Sequence, residues 1–312
     1  MADKWDLLEI NAVARKCYDE RSVFFTGRLK SFPAAGTWEL MAASRPIFRR
    51  PGFEPVREPR YQGGASRPER SEGEQDGASR PERSEGKQGG DPERVKANVA
   101  RAVRRAKIAL RDYALSTEMT YFVTLTLDQT KIDRYDVDRI VCKMSQWCSN
   151  QVKRRGLAYI LVPERHKDGA IHFHGFFNGA LEAVDSGTVI PPEGGKPRRP
   201  KDAAQRAAWL NNGGHVVYNL PAWTWGYTTA IELYGDYARA VGYVVKYVGK
   251  QIGADGLPCK IGGRWYYSGG ALRQPDVIYT KDLAAEVAER PGAYVFDVPE
   301  ALCTFAKEHG NY

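Results

Sequence analysis

Apolar and polar positions alternate in blocks that predict a mixed fold. Tyr121 to Leu127 (Tyr-Phe-Val-Thr-Leu-Thr-Leu) is rich in β-formers and predicts a buried strand. From Val137 to Arg155 the residues Ile140, Val141, Met144, Trp147, Cys148 and Val152 recur at helical spacing. Leu157 to His166, Ala170 to Phe177 and Tyr227 to Leu233 predict three more strands. Asp236 is a candidate cap for a helix running to about Ile252. On its wheel, Tyr237, Ala240, Val241, Val244, Val245, Val248 and Ile252 make an apolar stripe suited to a sheet, with Arg239, Tyr243, Lys246 and Lys250 opposite. Earlier, Asp91-Pro92-Glu93 has the form of a helix start, and that helix should reach about Leu115. The stretch from Leu181 to Trp225 is polar and reads as a long connection. Interleaved strands and helices around a mainly antiparallel sheet predict an α+β sandwich of the split β-α-β kind.

The first part of the chain is different. Phe24-Phe25 and Thr37 to Met41 are candidate strands in residues 1–60, which carry no legible role. Gly64 to Gly73 then recurs as Gly77 to Gly86 with a 13-residue period. Two short copies rich in Gly, Ser, Pro, Glu and Arg cannot bury a core, so 61–91 is expected to be a disordered insertion. Residues 92–253 hold the predicted sheet and helices, and 254–312 are an extension with candidate DNA contacts.

Composition narrows the partners. Of 312 residues, 42% are hydrophobic, enough for a real core. No apolar run approaches the roughly 18 residues that span a bilayer. The first residues lack a signal-peptide pattern, so no membrane association and a cytoplasmic location are expected. The net charge of +8 favours polyanions. Arg104 and Arg105, within the basic helix that begins at Asp91, are candidate phosphate contacts. The five cysteines form no CxxC pair, which argues against a disulfide framework or structural zinc.

Candidate chemistry sits in two segments. In Ile171-His172-Phe173-His174 the alternation of a strand places both imidazoles on one face. Before it, Lys167-Asp168-Gly169 fits a three-residue hairpin loop with glycine in the left-handed region. That register sets His166 opposite Ala170, Glu164 opposite His172 and Val162 opposite His174, so Glu164 shares the histidines' face. His166 is the rival third ligand. Two imidazoles and a carboxylate suit a divalent cation that polarises a phosphate oxygen; Mg2+ or Mn2+ is the expected choice, though zinc or ferrous iron could also take the set. In the second segment, Tyr243-Val244-Val245-Lys246-Tyr247, the tyrosines are helical neighbours and each has a lysine three residues later. Further on, Arg264-Trp265-Tyr266-Tyr267 sets an arginine beside aromatics that either stack exposed bases or fill a core.

Taken together, Phe122 to Leu127, Glu164 with His172-Phe173-His174, and Tyr243 to Lys250 resemble the HUH endonucleases, named for His-hydrophobic-His. Within that superfamily the chain is similar to rolling-circle replication initiators of small phages and plasmids, of the ORF2/gene II replication-associated type. The resemblance spans about Arg94 to Ile252. It implies a ferredoxin-like nuclease core, a divalent metal on His172, His174 and Glu164, and Tyr243 as nucleophile. Tyr247 matches the second tyrosine of two-tyrosine initiators, and Lys246 would position phosphate or tune the phenol. It also implies single-stranded or supercoiled origin DNA as substrate, with Lys250, Arg239, Arg104, Arg105 and Arg264 as candidate DNA contacts. No GxxxxGK[ST] loop is present, so a host helicase, and a host DNA polymerase, are expected partners. A relaxase or transposase of the same superfamily, or a non-catalytic DNA-binding protein, are the alternatives.

Overall fold

A computed structural model describes residues 23–49, 56–57, 91–233, 237–280, 294–298 and 303–307. The repeat at 64–86 and the expected cap Asp236 lie outside the described residues. The chain divides into two compact units: 1–60 with 274–311, and 61–273 with residue 312. The segment 254–312 is therefore shared between them.

The first unit is a six-stranded sheet. Its strands are β1 (Val23–Phe32), β2 (Thr37–Arg49), β3 (Val56–Arg57), β11 (Asp276–Thr280), β12 (Tyr294–Val298) and β13 (Cys303–Lys307), in the order β12-β13-β2-β1-β11-β3. Both expected N-terminal strands are present, in β1 and β2. Leu29 and Leu40, opposed in register, form a small core with Trp38 and Ile278.

The second unit contains α1 (Pro92–Ser116), β4 (Tyr121–Leu127), α2 (Val137–Arg155), β5 (Tyr159–Arg165), β6 (Ile171–Phe177), β7 (Val184–Ile190), α3 (Ala203–Asn211), β8 (His215–Asn219), β9 (Gly226–Glu232), α4 (Tyr237–Val245) and β10 (Tyr267–Gly269). Seven strands form an antiparallel sheet in the order β10-β5-β6-β4-β9-β8-β7. Since β4 and β5 both pair antiparallel with β6 between them, β4-α2-β5 is a split β-α-β unit. The α+β expectation holds.

Strand alternation gives the sheet two different faces. Val123, Leu125, Leu127 and Phe173 are buried with Ile140, Met144, Trp147 and Cys148 of α2. Phe122, Thr124, Thr126, His172 and His174 point the other way and form the site face. α2 runs as its spacing predicts, from the Asp136 cap to Gly156 in the left-handed region. α1 starts at the expected Asp91 cap, which accepts the Glu93 N–H.

Two expectations are corrected. The stretch 181–225 is not a bare connection, since it holds β7, α3 and β8. β7 contains Asp, Ser and Gly and buries only Val189, and α3 buries no residue fully, so neither shows an apolar period. The tyrosine helix is shorter than its stripe suggests. α4 ends at Val245, and the chain continues in tight turns in which Lys246, Tyr247 and Val248 each donate to the residue three back. Gly249, at φ 77°, closes the run, and Ile252 is exposed.

Candidate metal and tyrosine site

The hairpin between β5 and β6 has the expected register. His166 N–H donates to the Ala170 carbonyl at 2.8 Å, and Gly169 closes the loop at φ 89°. Glu164 therefore faces His172, and Val162 faces His174. The 166/170 pair is hydrogen-bonded, so alternation puts Pro163 in a non-bonded position relative to β6. Its missing N–H points to the other side, where β10 pairs only with residues 159–161.

Glu164 and His174 meet directly, with Oε2 3.0 Å from Nε2. The other Glu164 oxygen receives Lys250 Nζ at 2.5 Å. His172 lies opposite Glu164, and the His166 ring lies 5.2 Å from the His172 ring, centroid to centroid. His166 also contacts the exposed Asp168 at 3.3 Å. Among the described residues, no three His, Cys, Asp or Glu side chains are already gathered at coordination geometry. Glu164 contacts both His174 and Lys250.

Behind the histidines stand two residues whose part sequence reasoning missed. Thr124 Oγ1 lies 3.1 Å from His174 Nδ1, and Thr126 Oγ1 lies 3.2 Å from His172 Nδ1. Each threonine is the β4 register partner of its histidine. A hydroxyl can donate or accept. When it accepts from Nδ1–H, Nε2 carries the lone pair that would bind a cation, the usual support for a metal-bound imidazole; at His174 the cation would replace the present Nε2–Glu164 contact. Their signal was the alternation of Thr with Val and Leu in β4, which sets both hydroxyls on the histidine face.

Burial pushes both imidazoles below the usual histidine range. At His172 the neighbouring His166 adds to the shift, and at His174 the Glu164 carboxylate opposes it. Neutral imidazole is the form that binds metal.

Over this cluster lie the tyrosines. The Tyr247 ring stacks on His174, with centroids 4.6 Å apart. Lys250 Nζ sits 5.0 Å from the centre of that ring. Tyr247 donates a hydrogen bond of 2.6 Å to Tyr243 Oη. Burial pushes the Tyr247 phenol up, and the bond to Tyr243 and the charge of Glu164 do the same. Tyr243 packs edge-on against Phe122 at 5.9 Å and is half exposed. The tyrosine side of α4 therefore meets the sheet, contrary to the expected placement of the valine stripe there. Val241, Val244 and Val248 are buried, and α4 runs beside α1. Tyr237 anchors that pairing by donating to the Ala114 and Thr117 carbonyls, and Val103 occupies the space that a Cβ on Gly249 would need.

The remaining candidates are dispersed. Lys246, Arg239, Arg104 and Arg105 are exposed, the first two on the tyrosine segment and the last two on α1. Arg264 is exposed over the Tyr267 ring at 5.8 Å. Tyr267 itself is a core residue, edge-on to Phe173. Pro163, Tyr247, Gln251, Ile261, Arg264 and Trp265 line a shallow groove of about 200 Å³ including its open mouth.

Residues 120–252 match the family described as replication-associated protein of the ORF2/gene II type. The matched stretch begins beside β4 and ends beyond the tyrosine turns, so it contains Glu164, both histidines, both tyrosines, Lys246 and Lys250, but neither α1 nor Arg264. No curated protein and no solved structure matches the chain. Among the described residues no helix is long and apolar enough to cross a membrane.

Proposed function

We propose that this chain is a replication initiator of the HUH type, which nicks one DNA strand at an origin and later rejoins the ends. One observation carries the reading. A pair of hydrogen-bonded tyrosines lies directly over a His-Glu cluster, with Tyr247 stacked on His174 and Glu164 3.0 Å from the same imidazole. The match to a replication-associated family over these residues supports it.

The donor set fits a divalent cation: two neutral imidazoles backed by threonine hydroxyls, with one carboxylate beside them. His172, His174 and Glu164 would hold Mg2+ or Mn2+, with His166 the alternative to Glu164 beside His172. When bound, the cation polarises a phosphate oxygen. Tyr243, half exposed, is the nucleophile. Its phenol gives up a proton and its oxygen bonds to phosphorus. The P–O3′ bond breaks, and the 3′ oxygen leaves and takes up a proton. The 5′-phosphotyrosine product keeps one phosphodiester-type bond for each one broken, so the step can be reversed by a 3′-hydroxyl. Tyr247, held protonated by its surroundings, donates toward the attacking oxygen and steadies charge there. Tyr247 is the candidate second nucleophile for a separate, later cleavage, in which its own phenol would give up the proton. Lys246 and Lys250 supply positive charge beside the phosphate path. A host helicase and a host DNA polymerase are the partners we propose for it.

The test is nicking of a supercoiled plasmid carrying the element's origin, with Mg2+ or Mn2+. We expect a covalent protein–DNA adduct that is lost in Tyr243→Phe and in His172→Ala. An adduct that survives Tyr243→Phe but not Tyr247→Phe reverses the nucleophile assignment. DNA binding without an adduct under either metal leaves a non-catalytic DNA-binding protein.

A further inference from the structure

Side chains on the site face fall into rows. Glu164, His172, Thr126 and Tyr227 are successive register partners on β5, β6, β4 and β9. They share one row and one face, as the Thr126–His172 contact bears out. The second row is Val162, His174, Thr124 and Thr229, and the third is Ile160, Phe176, Phe122 and Ile231. α4 and its tight turns cover the inner rows: Tyr247 lies on His174, Tyr243 on Phe122 and Tyr237 on Phe176.

Tyr227, at the end of the first row, is left uncovered. It is 69% exposed, the largest value among the exposed large apolar residues described. Among the described residues its side chain has no hydrogen bond, ion pair or ring contact. β8 pairs with β9 further along, at Tyr218 and Ala230, so among the described residues no ladder lies beside Tyr227 on that edge. A scattered surface tyrosine needs no explanation. This one is the continuation of the metal-ligand row, two strand spacings or roughly 10 Å from His172.

We propose that Tyr227 is a stacking seat for an unpaired base of the DNA strand that crosses this face. The inference rests on the functional reading above only in that single-stranded DNA must reach His172. The face of a tyrosine ring takes any base, because every base has a π-surface. A duplex cannot use the seat, since its bases are already stacked. The site would thus select unpaired DNA through Tyr227 and place the scissile phosphate, a near neighbour of the stacked base, over the Glu-His cluster.

The experiment measures binding, in chelator, of the full chain to fluorescein-labelled oligothymidylate by anisotropy. Tyr227→Ala should weaken binding roughly tenfold, while Tyr227→Phe and Tyr227→Trp stay within about twofold of wild type. Stacking neutralises no phosphate, so the slope of log affinity against log salt should be the same in all four proteins. An oligonucleotide of abasic residues should bind wild type and Tyr227→Ala alike. Equal binding of oligothymidylate by Tyr227→Ala and wild type overturns the proposal, as does a Phe variant as weak as Ala. Failure to form an adduct, with the Tyr227 effects intact, sinks the nicking reading and leaves this one standing. A wild type that does not bind the oligonucleotide overturns the proposal and leaves the nicking reading to its own adduct test.

Discussion

The ring of Tyr247 lies nearly parallel to the imidazole of His174, 20° between planes and 4.6 Å between centroids. Its hydroxyl reaches Tyr243, so one residue joins the candidate ligand to the candidate nucleophile. Tyr247→Phe keeps the stack and removes only the hydrogen bond, worth about 1 kcal/mol or fivefold. We expect adduct formation in single turnover to slow by about that factor, without being lost. Tyr247→Ala also removes the ring contact and should lose about as much again. Quenched-flow detection of the covalent adduct on an origin oligonucleotide separates the two variants; indistinguishable rates would mean that the stack contributes nothing.

Thr124 and Thr126 offer a test that leaves every ligand in place. Valine has nearly the same shape as threonine and cannot bond to Nδ1. Partners of metal-bound histidines typically change affinity by about 10- to 100-fold. Each Thr→Val variant should therefore weaken Mn2+ binding within that range, as read from free Mn2+ by electron paramagnetic resonance. Wild-type affinity in the double variant would show that the hydroxyls do not orient the imidazoles.

Lys250 and a divalent cation compete for the same carboxylate. Its ammonium holds Glu164 Oε1, but Lys250 is largely exposed, so the pair is screened and modest. Lys250→Met should accordingly tighten Mn2+ binding a few-fold while weakening DNA binding. Looser Mn2+ binding would instead make Lys250 the residue that keeps Glu164 in place.

Much of this was legible because strand registers follow from local rules. The left-handed glycine of one hairpin set Glu164 opposite His172, and alternation put both histidines on one face. The orientation of α4 was not legible. A wheel ranks Val241, Val244 and Val248 as a sheet-facing stripe, but it cannot say that α1 takes up neighbouring space and leaves the aromatic side to the sheet. β7 and α3 were hidden for a related reason: a marginal element that buries almost nothing carries no apolar period. Tyr227 lay in a strand that was foreseen, but its place in the histidine row needs two ladders at once.

Glycine makes opposite demands at two positions of the site. A Cβ on Gly175, between His174 and Phe176, would lie 1.8 Å from the Ile160 carbonyl oxygen. That backbone cannot yield without moving β5 away from β6. Gly175→Ala should destabilise by more than about 2 kcal/mol. Gly242, inside α4, has nothing within 4 Å of its would-be Cβ. Gly242→Ala should stabilise by roughly 0.5–1 kcal/mol through helix propensity. Urea midpoints give both signs, and a neutral Gly175→Ala would contradict the close β5–β6 approach.

Stability should also report the buried histidines. His172 and His174 are pushed below the ordinary histidine value of 6.5, chiefly by burial. As pH falls below about 6.5, the unfolded chain takes up protons first, so unfolding becomes more favourable. The contribution is present in full above that pH and is lost as pH falls through the depressed folded-state values. Asp128 and Asp168 do not obscure this window, because hydrogen bonds from Thr130 and Ala170 hold their carboxyls below the usual range. Thermal melts in chelator should show Tm falling on the order of a few degrees between about pH 7 and pH 5. The double variant His172→Gln, His174→Gln should have a flatter profile over the same interval. An equal slope in the two proteins would place the acid sensitivity elsewhere in the chain.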